Sequence, residues 1–359
     1  MRGRMKAWVF YEPGDMRLEE VDIPEVGEDQ VLVRVKACGI CGSDVAYYFG
    51  ASSLETPTGK GPLILGHELT GEVVEVGRIP ESLGLFKPGD RVVLDPVQYC
   101  NTCEVCKRGK VNLCENKKVL GVSINGGFAE YCVSNYTSVH KLPDNVTYEE
   151  GALTEPLADA VYAVGKMEIS PGDFCVVIGP GPIGIMMVQL IKASGAGRVV
   201  LVGTRDYRLQ IGLEMGADEA FNVKDRSSPI YTDDLKGEIE RLTDGKFADA
   251  VVVATGSPEA MELALEISGR SSRIVYFGLP PDTAVIRVPA LAQILWDKTI
   301  KFSWLSPLTW PTALRLLSTK QVNVDRLITH RYKLEQLKEA LGEVRERKGN
   351  VMKAVVVME

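Results

Sequence analysis

The chain has 359 residues, too many for one ordinary hydrophobic core and suited to two domains. Hydrophobic residues make up 45% and charged residues 25%, the composition of a soluble globular protein. A net charge of −7, without a basic run or an aromatic-studded basic stripe, argues against a nucleic-acid partner. The longest apolar stretch, Val176 to Ile191, is interrupted by glycines, prolines and Gln189, so it is not a membrane span. Residues Met1 to Phe10 lack a signal-peptide layout, and the cytoplasm is the expected location.

In chain order, the first 150 residues read as β-rich. Val31 to Lys36 alternates, Gly71 to Val76 and Arg91 to Leu94 are short apolar runs, and turns such as Lys87-Pro88-Gly89-Asp90 separate them. Near residue 155 the pattern changes. Phe174 to Ile178 is a continuous apolar run, followed by a glycine-rich turn and a helix-like stretch from Ile183 to Ala193. Arg198 to Val202 predicts a buried strand, and Leu209 to Gly216 a helix ending at glycine. Ala250 to Ala254 and Arg273 to Phe277 continue an alternation that predicts a doubly wound parallel sheet. Beyond residue 296 the pattern is mixed: Trp310 to Leu317 and Leu334 to Arg347 read as helices, and Val351 to Met358 as a closing strand.

Four of the eight cysteines, Cys100, Cys103, Cys106 and Cys114, crowd into fifteen residues. In a large chain without an export signal this reads as metal binding rather than a disulfide frame. Two-residue gaps let consecutive sulfurs converge on one ion, and a seven-residue loop returns the fourth. Four thiolates suit a closed, structural zinc site, with an iron–sulfur cluster as the alternative. Lys107, Arg108, Lys110, Lys117 and Lys118 would partly offset the thiolate charge.

Gly179-Pro180-Gly181-Pro182-Ile183-Gly184 fits G-x-G-x-x-G, with an apolar strand before it and an apolar helix after it. Gly179 would allow the tight turn, Gly181 a close approach of the backbone to a pyrophosphate, and Gly184 close helix–strand packing. At the end of the second strand an acid would hold an adenosine ribose and indicate NAD. The chain has Gly203-Thr204-Arg205 there. The glycine leaves room for a 2′-phosphate, and the hydroxyl and guanidinium can donate to it, which predicts NADP over NAD. Asp206 comes three residues late, and Arg208 fits either cofactor.

Two further segments carry metal-ligand types, Gly39-Ile40-Cys41-Gly42-Ser43-Asp44 and Gly66-His67-Glu68. They are too far apart for spacing alone to pair them. Glu155, in Thr154-Glu155-Pro156-Leu157, falls where the pattern changes.

Together these residues resemble the zinc-containing medium-chain alcohol dehydrogenases, in the branch with sorbitol, threonine, butanediol and secondary-alcohol dehydrogenases. The resemblance rests on Cys41-Gly-Ser-Asp44, Gly66-His-Glu68, Pro88-Gly-Asp-Arg-Val92, the cysteine cluster, Gly126-Gly-Phe-Ala-Glu130, Glu155-Pro-Leu157, the glycine turn and Leu327-Ile-Thr-His330, and spans nearly the whole chain. It implies an α/β protein: a GroES-like β-rich catalytic domain over 1–157 with a structural zinc lobe at about 95–118, a Rossmann domain over 158–295, and a return to the catalytic domain over 296–359. It implies two zinc ions per chain, the catalytic one held by Cys41 and His67 with Glu68 and Glu155 direct or water-bridged. Ser43 would take the substrate proton, Asp44 would orient His67, and Lys353 would contact the cofactor pyrophosphate.

Ala46 stands where many relatives carry a proton-relaying histidine, and the segment Gly77 to Phe86 is longer than usual. The expected function is hydride transfer between a secondary alcohol (a polyol, diol or sugar) and NADP, with the corresponding ketone as the other substrate. Two alternatives are a metal-free quinone or enone reductase on the same fold and a non-catalytic nucleotide-binding protein. The resemblance also implies a homodimer or homotetramer.

Overall fold

The computed structural model describes residues 3–358 and begins with a hairpin. Strands β1 (Arg4–Glu12) and β2 (Asp15–Asp22) pair antiparallel, and Gly14 takes the left-handed conformation between them. The alternation at Val31 belongs to β3 (Gln30–Gly39), which leads into helix α1 (Gly42–Tyr48). Next come β4 (Leu63–Ile64), β5 (Glu68–Val76), α2 (Arg78–Ser82) and β6 (Arg91–Leu94). The segment Gly77 to Phe86 is thus occupied by α2 and the turn after it. Strand β7 (Val97–Gln98), the one-turn helix α3 (Glu104–Lys107) and β8 (Lys118–Val119) form the cysteine lobe. The first stretch closes with β9 (Tyr131–Asn135), β10 (Val139–Lys141) and α4 (Tyr148–Ala152); α5 (Thr154–Gly165) follows.

The second stretch alternates strand and helix. It contains β11 (Phe174–Ile178), α6 (Pro182–Ala193), β12 (Arg198–Gly203), α7 (Asp206–Glu214), β13 (Glu219–Asn222) and α8 (Leu235–Leu242). Then come β14 (Ala248–Val253), α9 (Pro258–Ile267), β15 (Ser268–Tyr276), α10 (Ala290–Leu295) and β16 (Thr299–Phe302). The chain ends through α11 (Trp310–Ser318), β17 (Ile328–Lys333), α12 (Leu337–Glu346) and β18 (Lys353–Val357).

Contacts divide these elements into two units. One comprises Met1–Pro156, Trp310–Ser318 and Val324–Glu359; the other comprises Leu157–Thr309 and Thr319–Asn323. In the first, β3 is the hub: β5, β9 and β18 all pair with it antiparallel. In the second, six parallel strands run in the order β13-β12-β11-β14-β15-β16, the doubly wound order of a dinucleotide-binding sheet. All five residues of β11 are buried, as a strand covered on both faces requires. Residues 296–309 lie in this second unit, because β16 adds a sixth strand to its sheet; the tail returns at Trp310, later than the sequence pattern indicates. Among the described residues no helix is long and apolar enough to cross a membrane.

A half-buried histidine ties the returning tail to the first unit. The ring of His140 on β10 stacks on Trp310 of α11, with centroids 5.4 Å apart and planes within 4°. Burial pushes its pKa down to about 4, against roughly 6.5 in an open chain. Between those values the unfolded chain holds the proton and the folded chain does not, so stability falls as the pH drops through that window. His140→Phe removes the linkage. Urea unfolding at pH 7 and pH 5 is expected to show the variant losing about 1–2 kcal/mol less than the wild type on acidification. Equal losses would mean that His140 binds its proton equally well in the folded and the unfolded chain.

Candidate functional site

Gly39 and Glu68 are partners across β3 and β5. A Cβ on Gly39 would lie 2.1 Å from Oε2 of Glu68, so only glycine lets the carboxylate pass over that position. Cys41 caps α1 directly afterwards. In the first turn, fully buried Asp44 accepts the backbone N–H of Cys41 at 2.9 Å and that of Gly66 at 3.3 Å. One carboxylate thereby holds together the two segments whose sequence spacing could not be related. Gly66 is left-handed at φ +90°, and Cys38 and Phe128 fill the space where its Cβ would stand. That turn presents His67, whose Nδ1 stands 3.5 Å from Asp44 Oδ1.

One ligand atom each from Cys41, His67 and Glu68 lies within 4.8 Å of the others. His67 and Glu68 are buried, Cys41 is half-buried, and the buried Asp44 lies beside them. Burial opposes charge on His67, yet Asp44 and Cys41 outweigh it and push the imidazole pKa well up. His67 Nδ1 is buried with only Asp44 Oδ1 near it, at 3.5 Å and not in hydrogen-bond geometry. A thiolate, an imidazole and a carboxylate around a site that calls for positive charge fit a zinc ion held by three protein ligands, with a fourth position open.

Lys353, expected near a pyrophosphate, is part of this cluster. It is buried, donates to Ile40 O at 3.0 Å, and stands 2.6 Å from Oε1 and 2.5 Å from Oε2 of Glu68. Burial works against its charge, but Glu68 and Cys41 raise its pKa, and Glu155 adds to that. Glu155 is buried in the first turn of α5, outside the group of three donors. Ser43 lies on α1, half-buried, and Ala46 follows one turn later.

Sequence reasoning passed over Tyr47. Its phenol is half-buried and pushed up to about 12, by burial first, within the fields of His67, Asp44 and Cys41. The available signal was helical phase: Ser43 and Tyr47 are four apart on α1 and share a face.

The four clustered cysteines converge as expected. Their sulfurs all lie within 4.8 Å of one another, with Cys114 Sγ 3.5 Å from Cys100 and 4.0 Å from Cys103. A zinc tetrahedron with 2.3 Å arms has edges of about 3.8 Å, so the set fits that ion. The thiols are unlike before any ion binds. Hydrogen bonds from Thr102 and the Cys103 backbone draw Cys100 down to about 5, while burial and the neighbouring thiols push Cys106 up to about 12.

In the second unit, Gly179 sits at φ +113°, and Gly184 packs so close that a Cβ would meet Gly179 O at 1.9 Å. A Cβ at Gly181 meets nothing within 4 Å, leaving its backbone open. Pro182 and Ile183 open α6, with Gly181 at its N-cap. At the end of β12, Thr204 and Arg205 are exposed and Arg208 is half-buried. Asp206 Oδ1 accepts from Asn222 Nδ2 and Ser228 Oγ, both at 2.7 Å, which ties that carboxylate to β13 and the segment after it. Gly203 has a steric reason beyond the one read from sequence: a Cβ there would lie 2.4 Å from the ring of Pro180.

Two family models match the chain. "Alcohol dehydrogenase GroES-like domain" covers residues 27–144 and "Zinc-binding dehydrogenase" covers 182–319. Sorbitol dehydrogenase from Bacillus subtilis (strain 168) is 32% identical over 354 residues, 98% of this chain and 97% of its own. A Sinorhizobium meliloti 1021 structure bound to NADP has a TM-score of 0.87 at 27% identity, covering 99% of each chain. An alcohol dehydrogenase from Escherichia coli CFT073 complexed with NADH also has a TM-score of 0.87, at 28% identity and 99% of each chain.

The two clusters predict separable metals. Zinc-replete protein is expected to carry two equivalents per chain by elemental analysis. Cys103→Ser should lose one together with thermal stability, and Cys41→Ser should lose the other with little change in melting. Fewer than two equivalents in the wild type would contradict the assignment.

Proposed function

Because the chain belongs to the zinc-containing medium-chain alcohol dehydrogenase family, we propose that it oxidises a polyol or vicinal diol with NADP, and reduces the matching ketone in reverse. It is an oxidoreductase; the substrate class and the choice of cofactor are our reading. The observation that carries it is the convergence of Cys41, His67 and Glu68 in one largely buried, electron-rich group. A metal-free reductase on the same fold has no use for such a set.

When bound, zinc supplies Lewis acidity toward the substrate oxygen, and the nicotinamide supplies the hydride acceptor. Cys41, His67 and Glu68 would hold the metal, with Glu155 direct or through water. Asp44 fixes the turn that carries His67 and faces its ring. Lys353 competes for the Glu68 carboxylate. Ser43 takes the carbinol proton, and since Ala46 cannot relay it, the proton leaves through water or Glu155. Tyr47, sharing the Ser43 face of α1, offers a phenol to a neighbouring substrate hydroxyl. That supports a polyol or diol over a simple alcohol.

The two similar structures hold different cofactors, so fold alone does not decide between them. The end of β12 supports NADP: Gly203 rather than an acid ends the strand, and Thr204 and Arg205 can donate to a 2′-phosphate. The chain also reads as a homodimer or homotetramer built on the second unit. Helix α10 buries none of its residues, Leu291, Ile294 and Phe302 are 70%, 74% and 67% exposed, and β16 is the sheet's edge strand.

One assay tests the chemistry: kcat/KM across polyols, diols, aldoses and simple secondary alcohols with each cofactor. The wild type should favour NADP and a polyol or diol. Arg205→Ser should cut the NADP preference by about 10- to 100-fold, while Ser43→Ala should lose turnover with every substrate. A wild-type preference for NAD would refute the reading of the strand end. Full activity of Ser43→Ala across pH would refute the proton path.

A further inference from the structure

Lys298 belongs to the second unit. Lys298 follows α10 and precedes β16. Its backbone N–H is held by Gln293 O at 3.1 Å, and the turn before it is fixed by Ser271 N–H on Trp296 O at 2.7 Å. The side chain is half-buried. Nζ donates to Leu265 O at 2.7 Å and to Ser268 Oγ at 3.1 Å, and stands 4.8 Å from the centre of the Trp296 ring. Among the described residues no carboxylate pairs with it.

The surroundings disfavour a charged ammonium. Lys298 lines a cavity of about 630 Å³ with Phe247, Leu265 and Trp296. Lys236 and Glu240 of α8, Glu262 and Glu266 of α9, and Arg287 line the same cavity. Glu262 is committed to the backbone N–H of Arg287 at 2.7 Å, and Arg270 places a second cation over Trp296 at 5.2 Å. Two N–H bonds satisfy Leu265 O and Ser268 Oγ, so a neutral amine keeps both contacts and holds a free lone pair. Burial, with Lys236 adding repulsion, lowers the Lys298 pKa to about 8. At pH 7.5 roughly a quarter of it is free amine, against about one part in a thousand for an ordinary lysine.

We propose that Lys298 is a covalent modification site, an amine that the cavity beside Trp296 exposes to small activated acyl donors such as acyl phosphates. The amine lone pair attacks the carbonyl carbon and the N–C bond forms. The C–O bond to phosphate breaks with its electron pair, phosphate leaves, and the proton on nitrogen passes to solvent. The product is a neutral amide in place of a cation without a carboxylate partner, and one N–H remains for Leu265 O.

The test uses the intact folded chain and acetyl phosphate, with each lysine's acetylation rate read by peptide mass spectrometry from pH 6.5 to 9.5. At pH 7.5 Lys298 should react about tenfold or more faster than the typical exposed lysine. Its rate should level off near pH 8 while the others keep rising, and the preference should vanish in urea. Lys236→Met should move the levelling point upward without disturbing the fold, since Lys236 is exposed. A Lys298 rate no higher than that of exposed lysines, or one still climbing at pH 9.5, would overturn the proposal, as would a Lys236→Met profile identical to the wild type.

Discussion

The ion pair between Lys353 and Glu68 joins residues 285 apart in the chain and holds the first unit's centre in register. Glu68 heads β5, Lys353 starts β18, and both strands flank β3, where Gly39 leaves room for the pair to meet. A carboxylate this deeply buried is costly without a partner, and removing one member of such a pair typically costs about 3–5 kcal/mol. Asp44, Cys41 and Glu155 add to the negative charge around it. One ammonium does not balance that set, and the remaining deficit makes the position suited to a divalent cation. The same carboxylate that serves the fold is therefore a candidate metal ligand, and its freedom to turn toward a metal is limited by its hold on Lys353.

The cysteine lobe follows a different rule. Its local core is small: Cys106, Val111 and Cys114, with Tyr99, Cys100 and Cys103 packed against them. So few apolar contacts give little burial energy for ordering a loop of this length. The four sulfurs themselves supply the order once a cation draws them together. The catalytic candidates, by contrast, sit on strands and a helix whose positions the main core already sets.

Much of this was legible beforehand because it depends on local pattern. The buried strands β11, β12 and β14, the glycine turn and the cysteine spacing are short-range signals, and all are found in the structure where the pattern puts them. What escaped depends on contacts far apart in sequence or on surfaces without contrast. Strands β1 and β2 mix charged with apolar residues, and β16 is a half-exposed edge, so neither stands out. Lys353 read as a pyrophosphate contact, and nothing near it in sequence announces the buried Glu68 that it meets. Tyr47 drew no reading at all. The proximity of Cys41 to His67 needed the family resemblance, since its physical cause is Asp44 bonding to both segments at once.

The contact between Gly203 and Pro180 bears on how such a protein changes in evolution. An acid at position 203 would need space that the proline ring fills. A lineage acquiring that acid first passes through a crowded, destabilised intermediate, whereas one that first loses the ring does not. The two positions are thus epistatic, and the order of substitutions is constrained by sterics rather than by cofactor chemistry. Among descendants of such a chain, residues 180 and 203 should covary, with proline accompanying glycine and a smaller residue accompanying the acid.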